Sequence, residues 1–282
     1  MAEEWGIRGE FSALVSHDID EDRISLERAA LTIARMEYPE LQTEPYIRLL
    51  DQLGKRVDAL LPATPEPPNY IAALNQVLFE EEGFQGNVDE YYDPRNSFLN
   101  DVLDRKLGIP ITLALVYMEV GSRVGFPLFG VGLPGHFLLK HYEVDGREIL
   151  IDAFNGGDIL DTNDCQERLD AIYSGQLTFQ PEFLQTVSHR QMLTRMLNNL
   201  RGIYISGRNL RKAAQAVDLI LALHPRSAED MKQRGLLRLA TGQLRAAADD
   251  LENYIRMSPE ASDADEMRQT ALSIRRKLAS MN

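Results

Sequence analysis

Two segments in the last third of the chain repeat the same order of small and large residues. LRKAAQAVDLILALHP ends at Pro225, and LRAAADDLENYIRMSP ends at Pro259, 34 residues later. At that offset Leu210 matches Leu244, Ala213 matches Ala247, Val217 matches Leu251 and Ile220 matches Tyr254. A period of this length accommodates two helices and their turns. One such hairpin cannot bury its apolar face alone, so neighbouring units must stack. Residues 189–282 are therefore expected to form an all-α region of stacked hairpins, closed by a last helix over ADEMRQTALSIRRKL.

The first 95 residues also read as helical. TEPYIRLLDQLGKRVDALLP puts Tyr46, Leu49, Leu50, Leu53, Val57, Leu60 and Leu61 on one helical face. Thr43 stands at the N-cap position, with Pro45 in the first turn and Pro62 after the end. Helices are also expected over 21–36 and 69–82, with the proline-rich ATPEPP between 63 and 68 as a linker. From 96 the pattern changes. NSFLNDVLDRKLG predicts a helix ending at Gly108, and IPITLALVYMEVGSRVG predicts one starting near Pro110 that is apolar all round. LFGVGLP, HFLLKHY and REILIDAF then predict three short strands, the last two joined at Asp145-Gly146. A helix followed by an antiparallel meander predicts an α+β domain over residues 1–188, comprising a helical lead-in over 1–95 and a core at 96–160. For 162–188 the pattern gives no assignment.

His136 opens the first strand of the hairpin and Asp152 closes the second, so the two can meet as a base and its orienting acid. The bland alternative is a buried histidine that ties two strands together. The chain's one cysteine, Cys165, follows Asp152 by 13 residues and is a poor candidate nucleophile. A single cysteine also forbids an internal disulfide and fits a reducing cytoplasm. The acidic start MAEEWGIRGE lacks the basic and apolar regions of a secretory signal, and no apolar run is long enough for a membrane span. A formal net charge of −13 argues against nucleic acid or anionic lipid as the main partner.

No metal or cofactor is expected. His136 and His141 are five apart, which on one strand sends them to opposite faces. HDIDED, starting at His17, lacks the turn glycine of a calcium loop. GVGLPG is followed by a strand, so it has no dinucleotide-loop context.

The series NSFLNDVLDRKLGIPI, GVGLPGHFLL and IDAFNGG resembles the transglutaminase-like superfamily, and more closely its SirB-type branch, in which the core precedes tetratricopeptide repeats. The 34-residue period likewise resembles the tetratricopeptide repeat. Leu197, Leu200, Tyr204, Ala213, Val217 and Pro225 fall on its signature, whereas Arg234 and Arg238 stand where the second copy should be apolar.

The superfamily resemblance implies catalytic residues in the order Cys, His, Asp, with the thiol at the start of the buried helix. His136 and Asp152 match the last two. The thiol's place falls within Pro110–Thr112, where Thr112 has the only hydroxyl. A thiol there is activated by the helix dipole and an imidazolium, but a hydroxyl needs full general-base help. Two readings follow. One is a non-catalytic interaction or regulatory protein that binds a protein or peptide through the cleft or the repeats. The other is a hydrolase or acyltransferase that uses Thr112 or a water activated by His136. The missing thiol favours the first.

Overall fold

The computed structural model describes residues 2–16 and 18–281. His17, and with it the start of HDIDED, lies outside them. In chain order the helices are α1 (Ala2–Leu14), α2 (Leu26–Ala34), α3 (Glu44–Asp58), α4 (Pro67–Asn75), α5 (Leu99–Arg105) and α6 (Pro110–Arg123). They continue with α7 (Thr162–Tyr173), α8 (His189–Ser206), α9 (Leu210–Leu223), α10 (Ala228–Ala240), α11 (Leu244–Met257) and α12 (Ala264–Ser280). Among the described residues no helix is long and apolar enough to cross a membrane.

The fold is α+β with a helical C-terminal region. Its residues fall into two compact units. One holds residues up to Asp20, Arg35–Pro39 and those from Leu197 onward; the other holds Glu21–Ala34 and Glu40–Met196. The division thus falls inside α8.

In the second unit β1 (Gln85–Gly86) pairs in parallel with β2 (Leu107–Gly108). β3 (Phe129–Val131), β4 (Leu138–Tyr142), β5 (Glu148–Asp152) and β6 (Asp158–Leu160) form an antiparallel meander in that order. Leu139 faces Ile151 and Asp152 faces Asp158, so the turn at Asp145-Gly146 sets the register of the central hairpin. The sequence pattern predicts only three of these strands. The fourth escapes it because only three residues pair, and two of them, Asp158 and Ile159, are exposed.

Helix α6 is the centre of this unit. Eleven of its residues, from Pro110 to Gly121, are buried, as its all-round apolar pattern predicts. Pro110 occupies its first turn, where a missing N–H costs nothing. At its far end Arg123 gathers Glu27 from α2, Asp51 from α3 (2.8 Å) and Glu119 (3.0 Å). Helix α5 stops earlier than Gly108. Lys106 takes the left-handed conformation (φ 62°) and donates its backbone N–H to Val102, which frees Leu107-Gly108 to pair with β1. Thr43 precedes α3 as expected, but its side chain makes no capping bond.

In the other unit, α9 and α11 bury most of the positions that match across the repeat, with Leu210 and Leu244 half-buried. Ala213, Val217, Ala247 and Leu251 are fully enclosed. The two arginines that break the apolar pattern have partners. Arg234 forms a bidentate pair with Asp250 on α11 (2.5 and 2.9 Å) and reaches Asp218 on α9 (2.5 Å). Arg238 bonds the same two carboxylates at 2.8 and 3.0 Å. The tight burial of Ala213 has a measurable consequence. Ala213→Leu is expected to destabilise this unit by about 1–3 kcal/mol through overpacking. Equilibrium denaturation checks it, and a neutral result would mean the helices are not closely stacked there.

Candidate functional site

The site is built on the loop before β4 and the turn after β5. In Gly132-Leu133-Pro134-Gly135-His136, the His136 N–H bonds the Leu133 carbonyl (3.0 Å), and Gly135 has a left-handed φ of 71°. A Cβ at Gly135 would lie 2.8 Å from Ile172 on α7, so only glycine lets the loop pass beneath that helix. The loop delivers His136 two residues ahead of β4, on the side of Asp152.

His136 Nε2 donates to Asp152 Oδ1 at 2.9 Å. Both residues are buried, Asp152 completely. The same carboxylate oxygen accepts the backbone N–H groups of Phe154 (3.1 Å) and Asn155 (3.4 Å), capping a short 3₁₀ turn. Its other oxygen accepts from Asn155 Nδ2 (2.7 Å) and Arg168 Nε on α7 (3.2 Å). Burial acts to raise the Asp152 pKa, but the bonds from His136, Asn155 and Arg168 outweigh it. The carboxyl is held below its ordinary value. Because Nε2 is engaged, Nδ1 is left on the opposite edge of the imidazole, with no hydrogen bond among the described residues.

Phe154 stands edge-on to the His136 ring (5.9 Å between centroids) and Tyr91 packs against Phe154 (6.4 Å). Gly86 on β1 is what admits Phe154: a Cβ there would lie 2.5 Å from the ring. Asn75 ties the turn after Asp152 to α6, accepting from Tyr117 Oη (2.9 Å) and donating to the Gly157 carbonyl (3.2 Å).

At the start of α6, Pro110 and Ile111 are buried and carry no reactive group. Thr112 is wholly buried. Its hydroxyl donates to the Asn96 carbonyl (2.8 Å) and accepts the Ile109 N–H (3.1 Å). Asn96 is in turn held by Asn87 Nδ2 (3.0 Å) and by its own bond to the Glu90 carbonyl (2.7 Å). The structure thus brings His136 and Asp152 together and spends the Thr112 hydroxyl on backbone.

Cys165 lies on α7 inside an apolar cluster with Val131, Leu133, Leu138, Leu150, Leu160 and Leu169. Burial, with Asp164 and Asp161 nearby, pushes its thiol up to about 11, the reverse of what a nucleophile needs. His141 is structural: its Nδ1 donates to the Pro127 carbonyl (2.9 Å) and its ring stacks on Phe126. Among the described residues no group of three or more histidine, cysteine or acidic side chains is arranged to hold a metal.

Sequence reasoning missed Arg168, Asn155 and Arg195. Arg168 and Arg195 lie on helices whose role at the site has no local signature. Asn155, three residues after Asp152, is at capping distance and could have been found from that spacing. Arg195, on α8, donates to the carbonyls of His136 (2.6 Å) and Leu133 (3.3 Å) and covers the face of Phe137.

Comparison with known proteins agrees with this fold. Residues 44–198 match the family model described as transglutaminase-like superfamily, and residues 200–271 match a tetratricopeptide repeat model. A UPF0162 protein of Xylella fastidiosa is 38% identical over 253 residues, covering 89% of this chain and 90% of that protein. A UPF0162 protein of Vibrio cholerae is 28% identical, over 88% and 92% of the two chains. F-box only protein 21 of Homo sapiens is 32% identical over 166 residues, 54% of this chain but 25% of its own length. No solved structure matches. With an assembled His/Asp pair on the turn-and-strand frame of the core and a helical repeat behind it in sequence, the chain belongs to the transglutaminase-like superfamily and is a relative of the UPF0162 proteins.

Proposed function

We propose that this protein is a non-catalytic interaction module. Its transglutaminase-like cleft would hold a peptide or protein segment, and its repeats would present a second binding surface of the kind helical repeats commonly use. One observation carries the reading. Where the superfamily resemblance puts a thiol, this chain has two apolar residues and a threonine whose hydroxyl is bonded to Asn96 and Ile109. His136 has its orienting acid, and its Nδ1 meets no nucleophile among the described residues. A single buried cysteine also suits a cytoplasmic setting.

The second reading, a hydrolase or acyltransferase, is favoured by the free Nδ1 edge of His136, which could activate a water. It no longer has a natural use for Thr112. One experiment separates the two. The wild-type protein is expected to show no His136-dependent turnover of activated ester, thioester or amide probes. The Pro110→Cys variant is expected to react with iodoacetamide near neutral pH, at a rate that falls at least about tenfold when His136→Ala is added, because an imidazole partner raises the thiolate fraction. Cys165, buried and held protonated, supplies a silent background. Wild-type turnover that His136→Ala abolishes would establish the enzyme instead. A Pro110→Cys thiol indifferent to His136 would mean that the ancestral cleft is no longer assembled.

A further inference from the structure

Arg195 is the unusual charge of this unit. It is half-buried on α8, and no aspartate or glutamate among the described residues pairs with it. Exposed arginines such as Arg48 and Arg245 can rely on water for their charge, which a half-buried one cannot do fully. Most of its described counterparts are paired, including Arg123, Arg168, Arg234 and Arg238. Its Nη2 is used on the His136 and Leu133 carbonyls, whereas Nη1 and Nε make no hydrogen bond among the described residues. The guanidinium is fixed in place by those two bonds and by the Phe137 ring below it (5.4 Å). Burial works against its charge and lowers its pKa, with no carboxylate among the described residues to offset it. A half-buried cation with spare, oriented donors is stabilised by an anion brought from outside.

The surroundings suit a peptide-like ligand. Tyr173 Oη lies 3.4 Å from where a Gly135 Cβ would be, so the tyrosine stands over the His136 loop. Ile172 beside it is exposed, and Tyr91 reaches the site through Phe154. Tyrosine and arginine together are typical of the few residues that dominate peptide recognition.

We propose that Arg195 receives the carboxylate of a ligand bound beside His136, a peptide C-terminus or an acidic side chain, with Tyr91 and Tyr173 flanking it. A carboxylate offers two coplanar oxygens that match the guanidinium fork. The inference holds whether or not a substrate is turned over at His136, so its test is one of binding.

The full-length protein is titrated with N-acetylglycine, N-acetylglycinamide and inorganic phosphate, following the His136 ring resonances by NMR. The His141 ring, bonded to Pro127, serves as an internal reference for an intact fold. The acid is expected to shift the His136 signals saturably with an affinity on the order of millimolar, fitting for so small a probe. The amide is expected to have no comparable effect. Arg195→Gln should weaken the acid at least about tenfold, as loss of a charge-assisted bond does, and Arg195→Lys should retain part of the affinity. Equal shifts by acid and amide, or none by either, would overturn the proposal in the wild-type protein alone, even if Arg195→Gln fails to fold. Acid binding unchanged by Arg195→Gln would overturn it too. Phosphate binding tighter than the acid would overturn the carboxylate assignment.

Discussion

Asp250→Ala is expected to destabilise the helical-repeat unit by about 3–5 kcal/mol, since removing one member of a buried ion network leaves the others uncompensated. Asp250 is 2% exposed and Arg234 8%, so water cannot replace the lost carboxylate. Two arginines would be left to share Asp218 alone. Chemical denaturation followed by far-UV circular dichroism measures the loss. A companion variant isolates its cause. Replacing Asp218, Arg234, Arg238 and Asp250 together by apolar residues of similar volume should come out near neutral, because the desolvation penalty of all four charges disappears with their attraction. If Asp250→Ala costs less than about 1 kcal/mol, the network is solvated and belongs with ordinary surface pairs.

Asp152→Ala is expected to have a comparable effect on the other unit, about 3–5 kcal/mol, for a different reason. The carboxylate is fully buried and accepts five hydrogen bonds, from the side chains of His136, Asn155 and Arg168 and from two backbone N–H groups. Alanine orphans the backbone donors and leaves one side of the imidazole unpaired, each loss worth roughly 1–3 kcal/mol where water is excluded. Arg168 contributes less, because it is partly exposed and can be solvated. Asp152→Asn should recover some of the stability by keeping an acceptor for the capping bonds. The pH dependence has a definite sign. The folded-state pKa of Asp152 lies below its ordinary value, so its contribution is complete above about pH 4–5 and is lost as the pH falls through the folded pKa. Asp152→Asn should therefore be less sensitive to acid than the wild type. An identical acid transition in both would show that the carboxylate is not held ionised as the geometry requires.

What the sequence disclosed divides along a physical line. Periodic features were legible: the apolar circumference of α6, the 34-residue repeat, the hairpin registered by Asp145-Gly146, and the Leu50, Leu53 and Val57 face of α3, although Leu60 and Leu61, expected on that face, lie beyond the helix end and Leu60 is exposed. Each is a local pattern repeated often enough to outweigh its exceptions. The order of His136 and Asp152 was legible through the family resemblance, and their 2.9 Å contact is made from the loop ahead of β4 to the last residue of β5. Three things were hidden. The end of α5 depends on Lys106 adopting a left-handed conformation, which composition does not advertise in a lysine. The arginines of α10 looked like defects in a repeat because the partners of Arg234 lie 16 residues away on either side. Arg195 meets His136 from a helix 59 residues further on, and no spacing rule reaches that far.

The 3₁₀ turn at Ala153–Asn155 begins on the very carboxylate that orients His136. A residue with two duties is retained under selection for either one. Were a lineage to abandon chemistry altogether, its aspartate would still be kept by the turn it starts, long after the histidine was free to drift. His136 has no such second employment through its side chain. Asp152 therefore answers to folding whether or not the imidazole beside it has work to do.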